Sequence, residues 1–445
     1  MLFDSIYVFI CWAICTWYLP KINLVKSLGF KENQIRVLFS VKVLVGIGFM
    51  LFYQYYYDDR QNTDAFRFYD DGNILYNVFH SDPLTFFKIL FGIEMQSAEV
   101  IASVDLMNNW YKEHLHGVFN DNMTIIRFNA LVRFLSFDVY HIHTLAVNFL
   151  GFLGLAAMVN GVKNLGVNTR LTFLSILLFP GILFWSSGVL KESLLLFVMG
   201  YLILFSFRLA QQCNLKNGFG WLIFLLLGLT VKSYVAASIV IGFGLLMVAQ
   251  KARLKATTLI VSYVSVISVI GFSLNRLLDL RIPFRIFQKQ HDFINEVVAN
   301  KPGSAFEIFV LEPNWWSLIQ HAPHAFFNSL VRPFFWEVNS IVSLVASMEI
   351  LLLITLIGIS IFFRKKRNNQ AVISISGLLI SATVILVIVG WVTPVFGALV
   401  RYKIPDGRTV KHIWFLPTHK ANAVHPRPYF LWSLGRFQKQ QIYQK

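Results

Sequence analysis

Charge is what this chain has least of. Asp, Glu, Lys and Arg make up 14% of its 445 residues, against roughly a quarter in soluble domains. With 56% of the residues hydrophobic, an ordinary water-soluble enzyme is excluded. Only three cysteines occur. Cys11 and Cys15 share the first apolar segment and Cys213 lies in a short connection, so neither metal-ligand spacing nor a disulfide framework is present. Walker A, G-x-G-x-x-G, G-x-S-x-G and H-E-x-x-H patterns are missing, which removes support for cytosolic nucleotide chemistry. Histidines fall in scattered pairs (His114 and His116, His141 and His143, His321 and His324) without an acidic third ligand nearby. No metal site and no certain cofactor are therefore expected. Acid is scarce too: 23 Asp and Glu against 39 Lys and Arg leave a net charge of +16. That excess invites a nucleic-acid reading, but membrane proteins collect Lys and Arg in their cytoplasmic loops. No nucleic-acid partner is expected.

Apolar length is what the chain has in abundance. Runs of about 18 or more nearly uncharged residues recur, each enough to cross a hydrocarbon core about 30 Å thick. Hydropathy and breaker residues predict spans near 3–20, 36–57, 141–162, 170–186, 192–208, 219–231, 235–250, 256–275, 338–363 and 371–393. The expected fold class is all-α, a polytopic helical membrane protein with about ten transmembrane helices. The first segment lacks a basic leader and a small-residue cleavage site, so it reads as a retained helix. The pair at 219–231 and 235–250, divided by "VKSY", reads as two spans or as one broken helix lining a cavity. No internal repeat is present.

Orientation follows from the short connections. Lys21, Lys26, Lys31 and Arg36 follow the first span, Lys163 and Arg170 the third, and Arg208 and Lys216 the fifth. Lys251, Arg253 and Lys255 follow the seventh, and "RKKR" (Arg364 to Arg367) the ninth. These alternate connections belong to the cytoplasm, which puts the loops at 58–140 and 276–337 outside. The alternation survives only if the VKSY pair is two spans. In the first outer loop, "DPLTFFKILFG" and "NMTIIRFNALVRFLSF" have the spacing of amphipathic helices lying at the interface. In the second, "EPNWW" and "SLVRPFFWE" supply an aromatic belt. Residues 1–405 form one membrane domain. After "GALVRYKIP" hydrophobicity collapses, and 406–445 is a polar tail with no run long enough to span.

Four stretches carry chemistry. "YYYDDRQNTDAFRFYDDG" (Tyr55 to Gly72) gathers five aspartates and two arginines where the second span ends. Asp58 and Asp59 mark the water boundary. Asp64, Asp70 and Asp71 stand among aromatics, with Asp64, Phe68 and Asp71 on one helical face. Such a carboxylate can deprotonate an acceptor hydroxyl or help hold a divalent cation. In "FPGILFWSSGVLKESLLLF", Lys191 and Glu192 open a helix after a tight turn. A lysine there either binds an anion with the free N–H groups or snorkels to water. Lys232 interrupts about thirty apolar residues; it is an intramembrane functional cation or simply the top of a turn. In "ALVRYKIP", Arg401 and Lys403 flank Tyr402, and Arg332 stands with Glu337 in the second outer loop. A planar guanidinium and a point ammonium both suit phosphate oxygens.

The stretch from Asp64 to Tyr69 (D-x-x-x-x-Y), with "FPGILFWSSGVLKE", "VRPFFWE" and "ALVRYKIP", resembles the GT-C type of integral membrane glycosyltransferase and bacterial envelope relatives handled as polysaccharide polymerases. The resemblance covers most of residues 40–405. It implies a protein of the bacterial inner membrane with its active face extracytoplasmic, acting on a polyprenyl-phosphate sugar or a lipid-linked oligosaccharide. It also implies an acidic base in the first outer loop: Asp64, with Asp58, Asp59, Asp70 and Asp71 as rivals. Tyr69, Lys191, Glu192, Lys232, Arg332, Arg401, Tyr402 and Lys403 would bind substrate. Two departures stand out. The acidic motif follows the second predicted span, not the first. Relatives run on from "RYKIP" into another apolar span, whereas here "DGRTVKHIW" follows, so an aberrant tail, for example from a frame change, is expected. Two alternatives remain: a repeat-unit polymerase relying on Arg332 and Arg401, and a transporter or flippase. Against the latter, no inverted repeat is present and the ionisable residues gather at the outer face, not the midplane.

Overall fold

With no water to satisfy it, a backbone in lipid must bond within its own segment, and this chain is helical wherever it is apolar. The computed structural model describes residues 2–56, 60, 63–111, 121–251, 255–300, 303–362 and 369–402. Its first part comprises α1 (Leu2–Tyr18), α2 (Asn23–Lys26), α3 (Glu32–Tyr56), α4 (Asp64–Ser81), α5 (Pro83–Phe91) and α6 (Ala98–Val104). Next come α7 (Asp121–Ser136), α8 (Tyr140–Val162), α9 (Thr169–Leu177), α10 (Pro180–Trp185), α11 (Lys191–Gln211) and α12 (Leu215–Lys251). The rest is α13 (Ala256–Leu277), α14 (Ile282–Asn300), α15 (Trp315–Val331), α16 (Ile341–Phe362), α17 (Asn369–Val392) and α18 (Phe396–Tyr402). Among the described residues the β structure amounts to one isolated bridge, Ala305 to Val395.

Among the described residues, eight helices are long and apolar enough to cross a membrane: α1 with its following turn, α3, α8, α11, α12, α13, α16 and α17. The described residues form an all-helical fold, and these eight apolar helices suit a multi-pass membrane protein. Two sequence expectations change shape. The span expected at 170–186 is interrupted, because Pro180 has no N–H and holds Phe179 extended (ψ 119°). Two short helices, α9 and α10, result. The VKSY stretch lies inside α12, whose backbone leaves helical geometry at Lys232 (φ −153°, ψ 96°). The rings of Trp221 and Phe243 lie 5.8 Å apart, whereas a straight helix would separate these residues by about 33 Å. The two arms of α12 therefore fold back on each other, with Lys232 at the apex.

α8 and α11 form the centre, 78% and 67% buried along their apolar windows, while α1 and α13 are 11% buried and peripheral. The central pair touches backbone to backbone: a Cβ on Gly200 would lie 1.9 Å from the Gly154 carbonyl oxygen. Small residues permit this approach where lipid supplies no hydrophobic drive. Gly154 meets Gly200 and Gly161 meets Leu204, so the two helices run parallel and begin at the same end of the bundle. Of the two amphipathic segments, α5 leaves Leu84, Phe87 and Phe91 exposed while burying Phe86 and Ile89. α7 is more enclosed, with Ile125, Ile126 and Ala130 buried against α4 and α8. Residues 406–445 lie outside the described residues.

Candidate functional site

The turn that leads into α11 is fixed from three sides. Lys42, fully buried within α3, donates from Nζ to the Ser186 carbonyl oxygen at 2.6 Å, to Ser186 Oγ at 2.9 Å and to Ser187 Oγ at 3.1 Å. Asn148 Nδ2 donates to the Ser187 carbonyl at 2.8 Å, and Ser193 Oγ to the Ser186 carbonyl at 2.8 Å. Lys191 and Glu192 follow at once, on the first turn of α11. The apex of α12 brings Lys232 to the same place, and α18 brings Arg401.

These side chains form two neighbouring groups of ion pairs. Glu192 Oε1 accepts from Lys232 Nζ at 3.3 Å and from Arg401 Nε at 2.8 Å. Arg401 Nη1 reaches Asp64 Oδ2, on the first turn of α4, at 2.7 Å. Lys191 Nζ pairs with Asp121 Oδ2 at 3.0 Å and donates to Asn122 Oδ1 at 2.8 Å. Aromatic faces complete the walls. Lys191 lies 5.2 Å from the Phe68 ring, Lys232 4.4 Å from the Tyr402 ring and Arg401 6.0 Å from the Trp185 ring. Glu192 has no exposed surface, but the Asp64 side chain is 44% exposed. The Glu192 group is thus buried at its base and open at Asp64.

Burial raises the pKa of Asp64, but the charges of Arg401 and Lys191 outweigh it and leave the carboxyl below its ordinary value. Burial pushes the Tyr402 hydroxyl well up, and the nearby Arg401 charge does not reverse this. Tyr402 thus stays protonated and able to donate. The arrangement offers an ionised carboxylate beside a guanidinium and two ammonium groups, a combination that can hold an anion next to a base.

Of the residues expected from sequence, Asp64, Lys191, Glu192, Lys232, Arg401 and Tyr402 meet here. Asp70 and Asp71 lie elsewhere on α4. Asp70 pairs with Arg60 at 2.7 Å. Asp71 is buried and accepts the backbone N–H groups of Asn108 (2.9 Å) and Asn109 (2.8 Å). Tyr69 donates to Asp138 Oδ1 at 2.8 Å, and Arg332 pairs with Glu337 at 2.7 Å. Lys403, Asp58 and Asp59 lie outside the described residues.

No family model, no curated protein and no solved structure matches this chain. The site is read from its own geometry. Sequence reasoning missed Asp121 and Asn122, which open α7 in the manner of a helix start, and Lys289 on α14. It also missed Lys42, although a lone lysine six residues into an apolar run is a recognisable signal. Among the described residues, no group of three or more His, Cys, Asp or Glu is placed to hold a metal ion.

Proposed function

We propose that this chain is a membrane glycosyltransferase. It takes a sugar from a polyprenyl phosphate and transfers it to an acceptor hydroxyl at the extracytoplasmic face, in assembly of a cell-envelope glycan. One observation carries the reading: a half-exposed carboxylate, Asp64, stands 2.7 Å from the guanidinium of Arg401 at the mouth of a lysine-rich cluster. A sugar phosphate needs both functions side by side. Cations hold the phosphate and stabilise it as it departs, and a carboxylate takes the acceptor proton.

The step balances without a further reactant. The acceptor oxygen attacks C1 of the sugar as its proton passes to Asp64, and the C1–O bond to phosphate breaks. Polyprenyl phosphate leaves with the electron pair, its charge met by Arg401, Lys191 and Lys232. The prenyl tail lies in the bilayer. Topology is consistent with this. Counting both arms of α12 and the α9–α10 pair as crossings gives about ten passages. The ends of α3 and α17, the start of α11 and the apex of α12 then share the outer side, while the basic connections share the cytoplasmic one. An arginine-led polymerase has less support, because Arg332 is engaged by Glu337.

The test is transfer by purified protein in lipid nanodiscs from a panel of synthetic polyprenyl-phosphate sugars. The expected result is a glycosylated acceptor and free polyprenyl phosphate in equal amounts. Movement of lipid-linked saccharide across a liposome bilayer, with no new glycosidic bond from any donor, would replace this reading with transport.

A further inference from the structure

Among the described residues, each carboxylate of the cluster touches a cation. Asp64, Asp121 and Glu192 are carboxylates, and Lys191, Lys232 and Arg401 are the cations they bind directly. One more cation stands beside them. Lys289 lies 5.8 Å from the ring of Tyr234, two residues beyond Lys232, and within electrostatic reach of Asp121 and Lys191. No ion pair to Lys289 is found among the described residues. Its side chain reaches water, yet the surrounding walls desolvate it enough to lower its pKa.

The helix carrying it is held firmly. Gln290, the next residue, is 1% exposed. Its Nε2 donates to the carbonyl oxygens of Phe309 (2.9 Å) and Trp391 (2.7 Å), and its Oε1 accepts from the Leu311 N–H (2.8 Å). Phe293, one turn beyond Lys289 on the same face of α14, sets its ring edge-on to Tyr402 at 6.4 Å. Lys289 is therefore not a loosely solvated surface lysine. Among the described residues it is a cation without an ion-pair partner, on an anchored wall of the site.

We infer that Lys289 is a ligand-binding residue of this site: it contacts a phosphate group of the substrate. This inference rests on the glycosyltransferase reading for the source of the phosphate, a lipid-linked donor. Free phosphate presents the same chemistry, and the test separates the two.

Purified protein in detergent is titrated with farnesyl phosphate and, separately, with inorganic phosphate, with binding read from tryptophan fluorescence. Wild type is expected to bind farnesyl phosphate. Lys289→Gln is expected to weaken that binding about tenfold, or about 1.4 kcal/mol, and Lys289→Arg to stay within about threefold. Because Lys289 is exposed, both variants are expected to keep the wild-type thermal midpoint. Unchanged farnesyl phosphate binding in Lys289→Gln, with loss in Arg401→Gln, would overturn the role of Lys289 and leave the glycosyltransferase reading standing. Equal binding of inorganic phosphate, with the same Lys289 dependence, would support the anion contact but contradict a lipid-linked source. A wild type that binds neither probe would overturn both.

Discussion

Glu192 and Arg401 are 209 residues apart in sequence and meet at 2.8 Å, with Glu192 fully buried. The contact ties the first turn of α11 to α18 across the bundle, and through Arg401 it reaches Asp64.

Such a contact stabilises only while both partners remain. Removing one member of a buried pair leaves an uncompensated charge and costs about 3–5 kcal/mol. Glu192→Ala is therefore expected to lower stability by about that amount, since it strands Lys232 as well as loosening Arg401. Lys232→Met added to Glu192→Ala is expected to recover part of the loss, because the second charge no longer needs a partner. Denaturant unfolding in mixed micelles measures both. A harmless Glu192→Ala would contradict the network.

Asp71 should behave as a structural residue, not a reacting one. It accepts two backbone N–H groups from the loop after α6, and burial raises its pKa despite them. Asp71→Asn leaves one of those N–H groups facing an amide NH2, at a cost of about 1–3 kcal/mol. The expected outcome is a lower thermal midpoint with near-normal transfer by the protein that remains folded. A normal midpoint with transfer abolished would move the base role from Asp64 to Asp71.

The pH dependence of the Asp64–Arg401 pair has a definite sign. Asp64 has a depressed pKa in the folded protein, so the pair's contribution to stability is complete above the ordinary carboxylate value of about 4. It is lost as pH falls through the lower, folded value. The difference in thermal midpoint between wild type and Asp64→Asn is expected to be flat from about pH 5 to about pH 8 and to shrink below about pH 4. A difference that vanishes near neutral pH would show that Asp64 titrates there and is not held ionised by Arg401.

Most of the fold was legible because lipid imposes a length and a composition on each span. The departures from continuous spans have local causes. Pro180 breaks a stretch whose hydropathy is continuous, and Lys232 turns a stretch whose hydropathy permits either a kink or a hairpin. In the site, Asp64, Lys191, Glu192, Lys232, Arg401 and Tyr402 stood out because ionisable groups are costly beside apolar runs. Lys289 did not, since α14 is amphipathic and a lysine on such a helix looks like any solvated cation. Asp70 and Asp71 share every sequence property of Asp64. The placement of Arg401, of Arg60 and of the Asn108–Asn109 backbone separates their environments.

The central claim is that Asp64 is the base of a transfer reaction and Arg401 its anion-binding neighbour. The most direct measurement is the rate of sugar transfer by Asp64→Asn, at saturating polyprenyl-phosphate sugar, in protein whose thermal midpoint matches wild type. Loss of the base predicts a fall of about 10²- to 10⁴-fold. Transfer at the wild-type rate would contradict the account.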